Sequence, residues 1–377
     1  MNVLQLVCYA PTSRIYGELF HSLELQGVGQ TAVSPYGVSK HGGSSSIIWV
    51  NDRILSRANK VSFLWKVKKY LKHVLRSVNL PSAFDLIHAH TLYSDGFVAY
   101  RLSKTFGLPY VVNVRNTDVN VFAKYLLHHR VEARRVIEGS SAVLTTNHQY
   151  GQRIQRILDC SIPPGKLFVI PNGVENFWIQ EAGRAREFST SSHKLVGDGR
   201  TKVVCAGHLN PSKNQKCLIQ AAHVADRDNG SGLDLELLGD YSTMYGRWLV
   251  RNYASDRVRF SGQVDKFQIR KKFREADVFA MVSKREGFGL VYVEALSCGL
   301  PIVYTEEEGF DGWASGPLIG TGCSANDPHE VLRSIRMLHK LNSPLAVRER
   351  TELASKFSWP NVSDLMLDVY SNAKQSL

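Results

Sequence analysis

The sequence predicts an α/β protein built from two doubly wound domains. At 377 residues the chain exceeds what one hydrophobic core comfortably serves, so two domains are expected. Short, near-continuous apolar runs alternate with longer helical patterns from end to end, as in parallel strands covered on both faces. A Pro-Asn-Gly turn and a polar stretch rich in glycine and serine interrupt that alternation around residues 166–200.

In the first half, "NVLQLVCYA", "FDLIHAH", "PYVVNVR" and "AVLTTN" read as strands. Gly17 follows the first strand and opens a helical pattern, either as a simple turn or as a place where backbone approaches a ligand. "VSFLWKVKKYLKHVLRSV" (61–78) puts Val61, Leu64, Val67, Leu71, Val74, Leu75 and Val78 on one stripe, with Lys66, Lys69, Lys72, His73 and Arg76 mainly elsewhere. This is either a peripheral helix with a solvated basic face or a helix that rests on an anionic membrane surface. His88 and His90 share one face of a strand; without a third ligand pattern they read as core or cleft-edge hydrogen-bonding groups. In the second half, "KVVCAGH", "LDLELLGD", "VRFSGQV", "DVFAMVS" and "PIVYTE" read as strands. The expected domains are 1–175, 176–357 and a closing helix 358–377 that returns to the first domain. In doubly wound folds the default ligand site lies at the carboxyl ends of the strands, here expected in a cleft between the domains.

Composition narrows the function. No apolar run is long enough to span a membrane, and the first residues pass into a strand pattern without a basic leader, so no signal peptide is expected. The six cysteines lack paired spacing, which fits a reducing cytoplasm better than a disulfide framework or a zinc site. Residues 1–175 carry 20 Lys and Arg against 10 Asp and Glu and supply most of the net +12, so the first half favours an anionic partner. No aromatic-flanked basic motif of a nucleic-acid reader appears, and no nucleic-acid partner is expected.

The stretch "EGFGLVYVEALSCGLP" carries the chemistry. A strand ends, Gly287 and Gly289 make a turn, an apolar helix follows, and Gly299 and Pro301 end it. Glycines let backbone approach a ligand, and a helix start presents free N–H groups suited to a diphosphate. Glu286 and Glu294 bracket the turn and the helix. Beside an anion, carboxylates are repelled unless they face neutral hydroxyls, as on a sugar or ribose. The alternative is a turn with two surface glutamates.

"EGFGLVYVEALSCGLPIV" resembles the E-x7-E signature of the family 4 retaining glycosyltransferases, also called group 1 glycosyl transferases, which have the GT-B fold of two Rossmann-like domains. Residues 84–119, 169–174, 206–222 and 357–373 are similar, in the same order, to the family's N-domain core, interdomain turn, basic loop and closing helix. The resemblance implies that Glu286 binds the donor sugar, Glu294 the nucleotide ribose, and the amides of Gly287, Phe288, Gly289 and Leu290 the diphosphate. It implies that Lys213 in "GHLNPSKN" stabilises the leaving diphosphate, with His208 where arginine is usual. Arg115 in "NVRNTD" stands where the family commonly has histidine; it would clamp a donor phosphate or an acidic acceptor group, or else pair with Asp118. Gly17 would lie against the diphosphate, and His90 and Asp118 are acceptor-side candidates. "TEEEGFDG" (305–312) departs from the family's glycine-rich loop.

The implied activity is a hexosyl transfer, with retention, from a nucleotide-sugar (UDP-linked) to an acceptor hydroxyl in cell-surface polysaccharide or lipid-linked glycan synthesis. It would need no cofactor and no metal ion, and take place in the cytoplasm or peripherally on the inner membrane face. The alternative is a non-catalytic nucleotide-sugar or glycan-binding relative. A dehydrogenase would need a Gly-x-Gly-x-x-Gly turn that "YAPTSRIYGE" lacks, and a GT-B phosphorylase would be longer and carry pyridoxal phosphate.

Overall fold

The computed structural model describes residues 1–8, 15–36, 48–50, 53–55, 62–188, 199–228, 232–314 and 316–375. Val61 and residues 189–198 of the predicted seam lie outside these. The chain divides into two compact units, Met1–Gly173 with Trp359–Leu377, and Val174–Ser358.

The first unit holds a parallel sheet of seven strands: β1 (Asn2–Leu6), β2 (Gly29–Val33), β3 (Ile48–Val50), β4 (Leu86–Ala89), β5 (Tyr110–Val114), β6 (Ala142–Thr145) and β7 (Leu167–Val169). Their order is β3-β2-β1-β4-β5-β6-β7. The chain steps outward from β1 in one direction and then restarts at β4, so the β1/β4 junction is a topological switch point. Helices α1 (Ile15–Leu25), α2 (Phe63–Ser77) and α3 (Ser94–Phe106) follow strands of this sheet. The closing helix Trp359–Gln375 packs beside α1 in this unit: Ser22 and Ser363 hydroxyls lie 2.8 Å apart, and Tyr370 hydroxyl is 2.6 Å from His88 Nδ1.

The second unit holds a parallel sheet of six: β8 (Thr201–Ala206), β9 (Leu233–Leu238), β10 (Val258–Gly262), β11 (Val278–Ala280), β12 (Ile302–Thr305) and β13 (Gly320–Cys323), in the order β10-β9-β8-β11-β12-β13. Its switch point lies between β8 and β11. Strands β2, β3, β7 and β13 are additional to those read from the sequence.

Two readings need correction. Part of the seam is a helix, Asn176–Phe188, whose Trp178 and Ala182 are buried in the second unit's core. In α2 the buried face is Lys66, Val67, Tyr70, His73 and Val74, turned from the predicted stripe, while Leu64 and Leu75 are exposed. Aromatic packing sets the rotation. Phe63 lies against Tyr93, Phe97 and His129, and Tyr70 donates to Val33 carbonyl at 2.9 Å. Lys66 is drawn inward by a 2.8 Å bond to Ser94 hydroxyl. Among the described residues no helix is long and apolar enough to cross a membrane.

Candidate functional site

In the second unit, Lys213 stands at the β8/β11 switch point. Asn210 carboxamide oxygen accepts from the backbone N–H of Ser212 and of Lys213, both at 3.0 Å, an Asx turn that sets the lysine's direction. Asn214, in the left-handed region at φ 57°, donates to the carbonyls of Val282 (3.0 Å) and Ala325 (2.7 Å) and ties the loop to the end of β11. Lys213 Nζ reaches Glu286 Oε2 in an ion pair, with both side chains partly buried.

Glu286 is held from three sides. Its backbone N–H donates to Glu308 Oε2 at 3.0 Å, and its carbonyl accepts from Gly309 N–H at 3.1 Å. Gly309 (φ 51°) has no room for a side chain: a Cβ there would lie 2.6 Å from Glu286 Cγ. Gly289 (φ 82°) meets the same limit against Tyr292 at 2.6 Å and Glu286 Cγ at 3.3 Å. The "TEEEGFDG" departure is therefore a brace for Glu286, with Glu308 almost fully buried. Nothing in the sequence announced that contact, because the loop and Glu286 are 22 residues apart.

Gly289 opens the helix Leu290–Ser297 in a left-handed conformation. Phe288, predicted to touch donor, buries its ring against Phe310, Trp313 and Phe357, so only its backbone is available to a ligand. Glu294 lies about one turn into the helix. It is partly buried and makes no hydrogen bond or ion pair among the described residues. Burial, and then the Glu175 carboxylate, push its pKa up to about 7. An ionised carboxylate there lacks the donors it wants. His208 is exposed; its carbonyl accepts from Gln215 at 3.0 Å, and its ring makes no hydrogen bond among the described residues.

In the first unit, Arg115 follows β5. Its guanidinium donates to His90 carbonyl (3.4 Å) and Asn172 Oδ1 (3.3 Å) and lies 6.0 Å from the Tyr16 ring centre. The alternative reading, an ion pair with Asp118, is not formed within 4.0 Å. Asp118 is fully buried and accepts instead from the backbone N–H of Leu92, Tyr93 and Arg115, at 3.1, 3.3 and 2.8 Å. It is a brace inside the fold, and burial raises its pKa to about 6. His90 is also fully buried, stacked on His88 with ring centres 3.9 Å apart and bonded to Gln5 Oε1 at 2.9 Å. Burial pushes its pKa well down. Neither side chain meets solvent, so neither contacts an acceptor directly. Gly17 is in the first turn of α1, where a Cβ would meet no atom within 4 Å among the described residues.

Beside Arg115 lies a small recess, open to solvent, at the carboxyl ends of β5, β6 and β7. Thr145 and Asn172, which sequence reasoning did not single out, line it. Among the described residues no group of three or more His, Cys, Asp or Glu is placed to hold a metal ion.

Two Rossmann-like units, each with a site-bearing carboxyl edge, define the GT-B class. Sucrose-phosphate synthase from Thermosynechococcus elongatus superposes with a TM-score of 0.74 at 18% identity, over 100% of both chains. HepE of Anabaena, solved with UDP-glucose, gives 0.67 at 17% identity over 98% of this chain and 99% of that one. The family model for group 1 glycosyl transferases matches residues 189–352, and that for the glycosyl transferase 4-like domain matches residues 33–173. A D-inositol 3-phosphate glycosyltransferase of Salinispora tropica is 28% identical over 332 residues, 80% of this chain and 67% of that protein. A second, from Catenulispora acidiphila, is 25% identical over 79% of this chain and 73% of that protein. The chain belongs to the family 4, or group 1, glycosyltransferases, and it is a glycosyltransferase.

Proposed function

We propose that this glycosyltransferase takes a UDP-sugar as donor and transfers its hexosyl group, with retention and without a metal ion, to an acceptor hydroxyl. The setting would be cell-surface polysaccharide or lipid-linked glycan synthesis at the cytoplasmic face of a membrane. One observation carries the donor reading. Two carboxylates, Glu286 held by Lys213 and Glu308, and Glu294 without a hydrogen-bond partner among the described residues, stand before and within the first turns of a helix opened by a positive-φ glycine. The arrangement suits a ligand with hydroxyls at both ends and phosphates between them.

In this reading Glu286 accepts from the sugar hydroxyls, the amides of Gly287–Leu290 hold the diphosphate, Glu294 accepts from the ribose, and Gly17 lets backbone approach the phosphates. The bond from the sugar's anomeric carbon to the phosphate oxygen breaks, a bond to the acceptor oxygen forms, and the acceptor's proton passes to the departing phosphate. Charge builds on that phosphate, and Lys213, otherwise shared with Glu286, stabilises it. Retention rests on the family resemblance. HepE's complex with UDP-glucose supports the choice of uridine.

The test is ligand-induced thermal stabilisation with UDP, GDP and ADP. Saturation at 100 times Kd adds about 2.7 kcal/mol, a readable shift. A shift with UDP alone that Glu294→Ala abolishes is expected; no shift with any nucleotide refutes the donor site.

A membrane contact is favoured by α2. It exposes Leu64, Trp65 and Leu75 beside exposed Lys68, Lys72 and Arg76. Co-sedimentation with phosphatidylglycerol vesicles that fails equally for wild type and Trp65→Ser/Lys72→Glu refutes it.

A further inference from the structure

The recess beside Arg115 has features of a built site that the donor reading leaves unused. Arg115 is partly buried, yet its guanidinium has no carboxylate within 4.0 Å among the described residues; its two bonds go to neutral oxygens. A guanidinium has five N–H donors, so several remain. The nearest acidic group, Asp118, is committed to three backbone N–H groups. Asp118 therefore acts on the guanidinium only across a distance, and no carboxylate meets it directly among the described residues.

Thr145 is the second, independent sign. It is 2% exposed, lines the same recess, and its hydroxyl has no hydrogen-bond partner among the described residues. Buried hydroxyls are nearly always bonded. Asn113 and Asn172 add amide groups to the wall, while Leu144 and Ile170 supply an apolar floor.

We infer that this recess binds the anionic group, phosphate or carboxylate, of the acceptor sugar, with Arg115 as its charge partner and the Thr145 hydroxyl as a donor. The inference deepens the proposed function and rests on it for the word acceptor. It makes Arg115 and Thr145 residues that decide acceptor class: a charged sugar is chosen over a neutral one of the same shape.

The experiment is calorimetric titration of the full chain with glucose 6-phosphate, glucuronate and glucose at fixed ionic strength. UDP binding is measured on the same samples. Either charged sugar is expected to bind at least tenfold more tightly than glucose, and which of the two does so tells phosphate from carboxylate. Arg115→Gln is expected to lose tenfold to a hundredfold of that affinity and to keep UDP binding. Thr145→Val removes the unpartnered hydroxyl without changing shape. It is expected to melt no lower than wild type while still weakening the charged sugar several-fold, a combination that a structural role for Thr145 would not give.

Equal binding of charged and neutral sugars by a protein that binds UDP overturns the recess and leaves the donor site standing. Loss of UDP binding in Arg115→Gln also overturns it, by assigning the guanidinium to the donor. Selective binding of a charged sugar by a protein that ignores every nucleotide supports the anion site and sinks the donor reading instead.

Discussion

Replacing Glu294 with glutamine isolates the most exposed consequence of the proposed donor site. The carboxyl's pKa stands at about 7 against an ordinary 4.5. A difference of that size corresponds to about 3 kcal/mol, a ceiling because the group is only partly shielded from water. The folded chain holds this proton more tightly than the unfolded chain. Between about pH 4.5 and 7 the native state therefore carries the extra proton, and stability falls as pH rises through that window. Above pH 7 the whole cost is present; below 4.5 none of it is. Glutamine resembles the protonated acid, so Glu294→Gln should match wild type at about pH 4 and exceed it by up to about 3 kcal/mol at about pH 8. Chemical denaturation of both proteins across that range measures the difference. Asp95 and Asp118, raised by burial to about 7 and about 6, titrate nearby but identically in both and cancel. Ribose hydroxyls bind the ionised form, so wild-type UDP affinity should tighten about tenfold from pH 6 to 8, while the variant's stays weak and flat. A stability gap that does not change with pH refutes the reasoning, as does unaltered UDP affinity in the variant.

Three further outcomes follow from the same geometry. Gly309→Ala forces its Cβ against Glu286, so turnover should drop about a hundredfold with UDP affinity within threefold of wild type; Glu308→Gln, which keeps an acceptor for Glu286 N–H, should lose far less in the same steady-state assay. Lys213→Met should lower kcat by about a hundredfold to a thousandfold, because the leaving phosphate loses its cation. It should raise KM much less. Gly17→Ala should stabilise α1 by up to about 1 kcal/mol, since nothing obstructs the new methyl, yet weaken UDP binding; a stabilised variant with unchanged affinity removes Gly17 from the site.

The strands legible in the sequence are those whose apolar runs are continuous, such as β5 and β11, because strands buried on both faces must be apolar throughout. Strand β13, "GTGC", escaped for a physical reason. Its Gly320 lies so close to Ile302 that a Cβ would sit 2.5 Å from that neighbour, so packing selects residues that β-propensity rejects. The α2 face was misjudged because 3.6-residue periodicity fits two adjacent stripes there, and the choice was made by Phe63 and Tyr70 meeting partners far away in sequence.

The site divides in the same way. The local frame around Glu286, Lys213 and Glu294 was legible because a strand end, a glycine turn and a helix start are local and each has a sequence mark. What holds Glu286 in place was not, since Glu308 looks like any acidic loop residue until its oxygen is found on a backbone N–H 22 positions away. His90 and Asp118 were misassigned for the converse reason. Polar residues near a strand end look like ligand contacts, but here they satisfy backbone and side-chain groups inside the sheet's edge. Their burial is what leaves Arg115 without a direct ion pair among the described residues. With Asp118 spent on three amides and His90 offering only its carbonyl, the guanidinium keeps donors that no carboxylate meets directly among the described residues, which is why the proposed acceptor recess is drawn around it.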